Sequence, residues 1–234
     1  MAIDSLALQT LATMELFQGL PAPALEEVGA CARLRHLPKD MHIFNQGDEG
    51  VRAHVMIEGG VRIVQSGSDG AQVVVRFIGP GELFGTVSLF TDGRYPADAI
   101  TLSQTLEASW SEARLLDLIR CYPQIGINVI RIIGRRLQEA QERTRELATQ
   151  RAEQRVAHAV LRLARQAGYS TSDGTAIEFL LRRKDVADIS GTTLFTASRI
   201  LTGWEKAGLL VSHNQRLTIR KPSELMRIAE DDTE

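Results

Sequence analysis

The segment from Lys184 to Ile219 constrains the fold more than any other part of this chain. It predicts a short helix, a tight turn at Gly191, and a second helix over about 193–207 that ends at Gly208. Two short runs of alternating apolar residues follow, separated by the polar residues 213–215, and this pattern is typical of a β-hairpin. The order of these elements predicts a winged helix-turn-helix, which places its second helix in the major groove of DNA.

The second helix of this segment has two distinct faces. An apolar stripe at three- and four-residue spacing is expected to pack inward, and it comprises Leu194, Ala197, Ile200, Leu201 and Trp204. The other face carries the residues that we predict contact DNA: Thr192, Thr193, Phe195, Thr196, Ser198 and Arg199. Short hydroxyl side chains let the backbone approach phosphates, and arginine can pair bidentately with guanine. An ordinary amphipathic surface helix has the same two faces, but the neighbouring turn and hairpin favour DNA binding.

The charge distribution supports this interpretation. Residues 1–120 hold 9 Lys+Arg against 15 Asp+Glu, whereas residues 151–227 hold 13 against 7. The basic surplus therefore lies in the part of the chain that carries the predicted helix-turn-helix, where attraction to phosphates requires it.

Cysteine content and hydropathy limit the compartment and the partners. The 2 cysteines, Cys31 and Cys121, cannot form a disulfide framework and match no metal-binding spacing. No run of about 18 apolar residues is present, so we expect no membrane partner. The N-terminus lacks the basic start and the cleavage site of a signal peptide. We therefore expect a cytoplasmic protein.

Residues 1–120 are predicted to form a sensing domain rich in strands. Helices are expected over 6–17 and over 22–32, followed by short strands that are interrupted by turns. The turns recur about every 10–13 residues, at the pairs Gln46-Gly47, Gly59-Gly60, Asp69-Gly70 and Pro80-Gly81. Such spacing predicts an antiparallel β-roll or barrel.

Residues 121–150 are predicted to form one long helix that starts near Pro123. A heptad seam follows this helix, formed by Ile127, Ile130, Gly134, Leu137, Gln141 and Thr144. We expect the seam to pair with its twin in a homodimer, although packing against its own domain would give a similar pattern. Residues 151–234 are predicted to contain a helix over 155–166, a loop over 168–175, a strand over 176–181 and the winged helix-turn-helix, so the fold class is α+β.

This arrangement resembles the Crp/Fnr family of transcription regulators over essentially the whole chain. The resemblance is carried by the order of the segments and by three glycine motifs, FNQGD at 44–48, IEGGVRI at 57–63 and GPGELFG at 79–85. It implies a cyclic-nucleotide-binding-type β-roll, a long dimerisation helix and a C-terminal DNA-binding domain. It also implies a homodimer on a pseudo-palindromic double-stranded operator, control by a small effector, and RNA polymerase as a further partner.

The expected effector pocket departs from the members that bind cyclic AMP. Those members carry a glutamate after the glycine of a Phe-Gly pair, and an arginine-serine pair about ten residues later. Here these positions are Thr86 and Pro96-Ala97, and Arg94 lies two residues before the proline. Without a carboxylate for the ribose and a guanidinium for the phosphate, we predict an effector other than cyclic AMP, with cyclic-nucleotide control as the alternative. The resemblance places the pocket at Phe84, Gly85, Thr86, Arg94, Tyr95, Pro96 and Ala97.

The segments at 95–99 (YPADA) and 191–205 (GTTLFTASRILTGWE) look similar to the NnrR and Dnr branches of the family. Those branches respond to nitric oxide, and haem is the proposed sensor in the Dnr branch. The resemblance thus makes haem a candidate cofactor, with His36, His42 and His54 as candidate ligands, although single histidines are more often surface or core residues. An iron–sulfur cluster needs four cysteine ligands, and this chain has 2 cysteines.

The reading helix also departs from the usual family pattern of glutamate, two residues, serine and arginine. Ser198 and Arg199 match the pattern, but Phe195 stands in the position of the glutamate. We expect Arg199 to pair with a guanine and Phe195 to pack on a thymine methyl.

A metal-dependent β-roll enzyme is the remaining alternative to a transcription regulator. It needs clustered ligands, whereas His36, His42 and His54 are scattered, so we predict no metal site and no enzyme.

Overall fold

The computed structural model describes residues 10–230, except for the side chain of Phe90. Residues 6–9 of the first predicted helix therefore lie outside the described part of the chain. Within it, residues 10–13 are helical and Glu15–Phe17 form a 3₁₀ turn.

The N-terminal part contains a short helix, eight strands and two further helices. These are α1 (Ala22–Ala30), β1 (Arg33–Leu37), β2 (His42–Phe44), β3 (Arg52–Glu58), β4 (Val61–Ser66), β5 (Gln72–Ile78), β6 (Leu83–Phe84), β7 (Asp98–Thr101), β8 (Thr105–Ser111), α2 (Glu112–Cys121) and α3 (Pro123–Thr149). The strands form two four-stranded sheets, in the orders β1-β8-β3-β6 and β2-β7-β4-β5. The predicted β-roll and long helix are confirmed.

Two hydrophobic cores stabilise this part. One packs the outer face of the first sheet against the helices, with Phe17 edge-on to Trp110 at a centroid distance of 5.3 Å. The other fills the interior of the roll and includes Phe44, Phe84 and Tyr95. Strand β3 contributes Ala53, Val55 and Ile57 to the first core and Met56 to the second, as expected for side chains that alternate between the two faces of a sheet.

The C-terminal part follows α3 and contains the predicted winged helix-turn-helix. Its elements are α4 (Ala152–Ala167), β9 (Gly168–Thr171), β10 (Gly174–Ile177), α5 (Arg183–Ser190), α6 (Leu194–Lys206), β11 (Leu210–His213), β12 (Arg216–Ile219) and α7 (Pro222–Glu230). The strands form one sheet in the order β11-β12-β10-β9. At the tip of the wing, Asn214 and Gln215 both have positive φ, at 49° and 64°, which a two-residue hairpin of type I′ requires.

Four elements differ from the prediction. Residues 168–171 form β9 rather than a loop, and all four of them are exposed, so no apolar alternation marks the strand. The strand expected over 176–181 ends at Ile177, because only Gly174–Ile177 pair with β9. Helices α2 and α7 were not predicted, although Ser111 caps α2 by accepting a hydrogen bond from the Arg114 backbone N–H.

The chain divides into two compact units whose boundaries differ from the predicted domain limits at 120 and 150. The first unit comprises the chain up to Asp69 together with Ile78–Ala140, and the second comprises Gly70–Phe77 together with the chain from Gln141 onward. Most of β5 thus groups with the C-terminal part, and the division falls within α3.

Candidate functional site

Helix α6 is built as a separate, well-capped reading element. Gly191 ends α5 in the left-handed conformation, at φ 61°, which glycine adopts at little cost. Thr193 then caps α6, since its side chain accepts a hydrogen bond from the Thr196 backbone N–H at 3.1 Å. Ala197, Ile200, Leu201 and Trp204 are buried as predicted, but Leu194 is 51% exposed. The assignment of Leu194 to the packing stripe was wrong, because the first turn of the helix projects beyond the core.

The exposed face of α6 contains the predicted DNA-contacting residues. Phe195 is 79% exposed, Thr193 and Arg199 are exposed, and Ser198 is half-buried. Thr192 and Thr196 are also half-buried, so the rim of this face is formed by short hydroxyl side chains. Among the described residues, none pairs with the Arg199 guanidinium. This face therefore offers one unpaired cation, one large ring and several hydroxyl groups to a partner.

Two contacts that the sequence did not indicate hold α6 in place. Arg183 of α5 donates to the Ser198 backbone carbonyl at 3.0 Å and forms an ion pair with Glu205 at 2.9 Å. The Trp204 indole N–H donates to the Glu153 carboxylate at 3.0 Å, which ties α6 to α4. The role of Arg183 could not be predicted from the sequence, because Arg183 lies fifteen residues before Ser198 and no local motif links the two positions.

The predicted effector-pocket residues fall on two sides of the roll wall. Phe84, Tyr95 and Ala97 are buried in the interior, where Tyr95 stacks on Phe44 with ring centroids 3.7 Å apart. Arg94 and Pro96 are exposed, and Arg94 forms an ion pair with Glu49 at 2.6 Å. The Arg94 guanidinium is therefore not directed at the residues of the interior.

Thr86 and Gly85 mark the inner wall of this region. The Thr86 side chain is buried, and within the described part of the chain its hydroxyl has no hydrogen-bond partner, as is also true of Ser88 two residues later. Gly85 has φ 73°, and a Cβ atom there would lie 2.8 Å from Cδ2 of His54, so glycine is required at this position. The wall therefore presents two buried hydroxyls that lack a hydrogen-bond partner among the described residues.

A buried polar network beside these rings was not predicted from the sequence. Nδ1 of His54 lies 2.7 Å from Oε2 of Glu107, and Nε2 of His54 lies 3.0 Å from the Tyr95 hydroxyl. Arg35 donates to the other carboxylate oxygen of Glu107, and Arg52 donates to Ser109 at 3.1 Å. Both nitrogens of the His54 ring are therefore engaged.

The network shifts the ionisation of its members. Burial lowers the pKa of His54, although the hydrogen bond and the charge of Glu107 oppose that effect. Burial alone would raise the pKa of Glu107, but its hydrogen bond to His54 and the charge of Arg35 outweigh burial, and the pKa of Glu107 is lowered. Glu107 is thus held as a carboxylate between Arg35 and the imidazole.

Comparison with known proteins identifies the family. The cyclic nucleotide-binding domain matches residues 34–122, and the Crp-like helix-turn-helix domain matches residues 154–228. The chain is 30% identical over 214 residues to the cyclic AMP receptor protein of Thermus thermophilus, covering 92% of this chain and 96% of the relative. The chain belongs to the Crp family of transcription regulators.

Other relatives of this Crp-family chain extend the same match. It is 26% identical over 220 residues to a CRP-like cAMP-activated global transcriptional regulator of Mycobacterium tuberculosis, covering 91% of this chain and 98% of the relative. The solved structure of the Thermus thermophilus catabolite activator protein matches with a TM-score of 0.53 at 30% identity, covering 94% of this chain and 100% of that one. FixK2 from Bradyrhizobium japonicum matches with a TM-score of 0.74 at 22% identity, covering 84% and 96%, and this likeness concerns the fold.

Membership of the Crp family gives the two halves of this chain their roles. The chain is a DNA-binding transcription regulator with an effector-binding domain, and its relatives are transcription regulators rather than enzymes. Among residues 10–230, no helix is long and apolar enough to cross a membrane. Within the same residues, no three histidine, cysteine or acidic side chains cluster in a way that could hold a metal ion.

Proposed function

We propose that this protein is a homodimeric regulator that reads a pseudo-palindromic operator with α6 of each protomer and responds to a small effector other than cyclic AMP. The observation that carries the DNA-reading part is the exposed face of α6. It presents the Arg199 guanidinium, which pairs with none of residues 10–230, next to Ser198 and Phe195, on a helix fixed by Arg183 and capped by Thr193. A guanidinium in this position suits guanine, and the Phe195 ring suits a thymine methyl.

Two variants, one of an arginine and one of a lysine, separate base-specific reading from general attraction to the DNA charge. Arg199→Ala should reduce discrimination between an operator, selected from random duplexes, and scrambled DNA by about 1–3 kcal/mol per half-site. Lys206→Ala removes an equal charge from the other end of α6 and should weaken binding to both duplexes equally. Fluorescence anisotropy at two salt concentrations measures both ratios. An unchanged ratio for Arg199→Ala would remove this residue from the reading surface.

The exposed seam of α3 supports the homodimer. Ile130 is 71% exposed, Leu137 is 58% exposed and Ile127 is 45% exposed, and a Cβ atom at Gly134 would meet no atom within 4 Å. Gln141 and Thr144 are exposed on the same seam. A row of large apolar side chains on one helix is costly in water unless a partner covers it.

The homodimer is tested by placing a charge on the seam. Ile130→Glu should shift the protein from dimer to monomer in sedimentation velocity, because a buried carboxylate would face its twin. Arg131→Glu, which changes the adjacent exposed residue, serves as the matched control and should leave the dimer intact. A monomeric wild-type protein at micromolar concentration would contradict the homodimer.

The pocket residues support an effector other than cyclic AMP, although several relatives are named for cyclic AMP. Thr86 stands where the members that bind cyclic AMP carry a carboxylate, Pro96 stands where they carry a guanidinium, and Arg94 is engaged with Glu49. A cyclic phosphate would thus enter without a bidentate partner. Titration calorimetry with cyclic AMP should show no saturable heat of binding. A one-to-one binding isotherm would instead support the alternative, a cyclic-nucleotide-dependent regulator.

Nitric oxide sensing through haem stays a prediction from the resemblance, and the three candidate ligands do not fit a haem in this arrangement. His54 has both ring nitrogens engaged, and His36 and His42 are exposed. An absorption spectrum after addition of haem, with and without nitric oxide, tests nitric oxide sensing: a Soret band that shifts with the gas would support it.

The proposed function also includes RNA polymerase as a partner and the cytoplasm as the compartment.

A further inference from the structure

Strand β5 is attached to the DNA-binding unit, although its sequence lies within the match to the cyclic nucleotide-binding domain. The Val74 backbone N–H donates to Oδ2 of Asp188 on α5 at 3.2 Å. Gln166 of α4 donates to the Phe77 carbonyl at 2.7 Å, and the Phe77 ring stacks on Phe179 with centroids 5.4 Å apart. Strand β5 is thus held at three points within the compact unit that also carries α6.

Arg143 of α3 provides a fourth attachment and differs from the others in having two targets. One terminal nitrogen of its guanidinium donates to the Val75 carbonyl of β5 at 2.8 Å, and the other donates to the Ile189 carbonyl of α5 at 3.1 Å. The side chain is half-buried, so water competes with these bonds less than at an exposed site. A single rigid group therefore joins β5 to the C-terminal end of α5.

The end of α5 is the point where the orientation of the reading helix is set. Ile189 precedes the Gly191 turn by two residues, and α6 begins three residues after that turn. Arg155 of α4 donates to the Ser190 and Gly191 carbonyls at 3.0 and 3.2 Å. The last carbonyls of α5, which have no partner within the helix, are therefore satisfied by arginines. Of these two arginines, Arg143 is the one that also holds β5.

We propose that Arg143 is a positioning residue that couples the position of β5 to the orientation of the reading helix. The inference rests on the proposed function, in which α6 reads the operator. A shift of β5 either carries the Arg143 guanidinium away from the Ile189 carbonyl or breaks its bond to Val75, and in both cases one group no longer joins β5 to the end of α5. Because coupling between two sites is reciprocal, operator binding at α6 must also be felt at β5.

This reciprocity allows a test that needs no knowledge of the effector. Amide hydrogen exchange of β5 and α6 is measured on the full-length protein, with and without an operator selected from random duplexes. In the wild-type protein, operator binding should slow exchange at β5 by roughly tenfold, the size expected for one hydrogen bond to a charged group. In Arg143→Met, α6 should still be protected by the operator, but exchange at β5 should no longer respond.

Two controls separate coupling from general destabilisation. Arg145→Met changes an exposed arginine two residues away that pairs with Glu142, and its β5 response should equal that of the wild type. Arg143→Lys retains one cation without the two-pronged geometry and should restore only part of the response. If Arg143→Met does not fold, Asp188→Ala removes another β5 contact and should reduce the response. Lys184→Met removes only the exposed partner of Asp188 and should not.

Two results would overturn the inference: a wild-type β5 that does not respond while α6 is protected, or an Arg143→Met β5 that responds like the wild type. Failure of the proposed function looks different, since no duplex would then protect α6 in any variant.

Discussion

Replacing Glu107 by alanine should destabilise the first unit by about 3 kcal/mol. The Glu107 side chain is fully buried and is bonded to both Arg35 and His54. Removing one member of a buried, charged network costs roughly 3–5 kcal/mol, because the partners lose their counter-charge and their hydrogen bonds together. The loss of unfolding free energy at this site depends on how far the two partners of Glu107 are exposed to water.

The exposure of the two partners sets the estimate at the lower end. The Arg35 side chain is 24% exposed and can turn to water when the carboxylate is gone. The His54 side chain is 2% exposed, so its Nδ1 would be left unsatisfied in the roll interior. A buried polar group without a partner costs about 1–3 kcal/mol, and the space left by the shortened side chain adds to that cost.

The 2 tryptophans make the assay specific for this unit, because Trp110 lies in the first unit and Trp204 in the second. In a Trp204→Phe background, urea unfolding followed by Trp110 fluorescence reports on the first unit alone. Glu49→Ala is the matched control, since Glu49 also pairs with an arginine but its side chain is 71% exposed, and it should cost less than about 1 kcal/mol. Equal losses of unfolding free energy for the two variants would show that the burial of Glu107 does not determine its contribution to stability.

Three further predictions concern pH and the helix ends. Burial lowers the pKa of His54, so below about pH 6.5 the unfolded state takes up a proton at this residue while the folded state does not. The Trp110 assay should therefore show the free energy of unfolding of the first unit falling as the pH drops from about 6.5. His54→Gln should make this fall less steep. Thr193→Ala removes the cap of α6 and should cost about 1 kcal/mol, whereas Thr202→Ala on the same helix should cost less, both measured by urea unfolding with Trp204 as the reporter. Gly191→Ala forces a side chain into the left-handed region and should cost roughly 1–2 kcal/mol in the same assay; no loss of stability would argue against the turn geometry described for this residue.

Local signals in the sequence were sufficient for the elements that carry the function. Gly191 and Gly208 marked the ends of α5 and α6, and the polar residues at 213–215 marked the turn of the wing. Pro123 marked the start of α3. These positions depend on backbone conformation within a few residues, so a single sequence can reveal them.

The parts that could not be predicted depend on contacts between residues far apart in the chain. His54 and Glu107 are 53 residues apart, and Arg143 and Val75 are 68 residues apart, so no spacing rule links them. Leu194 shows a different limit: its spacing fits the apolar stripe, but the core does not reach the first turn of α6. Burial depends on what the rest of the fold places opposite a residue, and periodicity alone does not contain that information.

Selection of DNA duplexes from a random pool tests whether α6 reads DNA as one half of a two-fold reader. The full-length protein is used to select duplexes from a random pool, and the enriched sequences are determined. We expect two inverted half-sites, each containing a guanine, with centres about 10–10.5 base pairs apart or a multiple of that distance. Enrichment of a single unsymmetric site, or recovery of sequences no different from the starting pool, would contradict it.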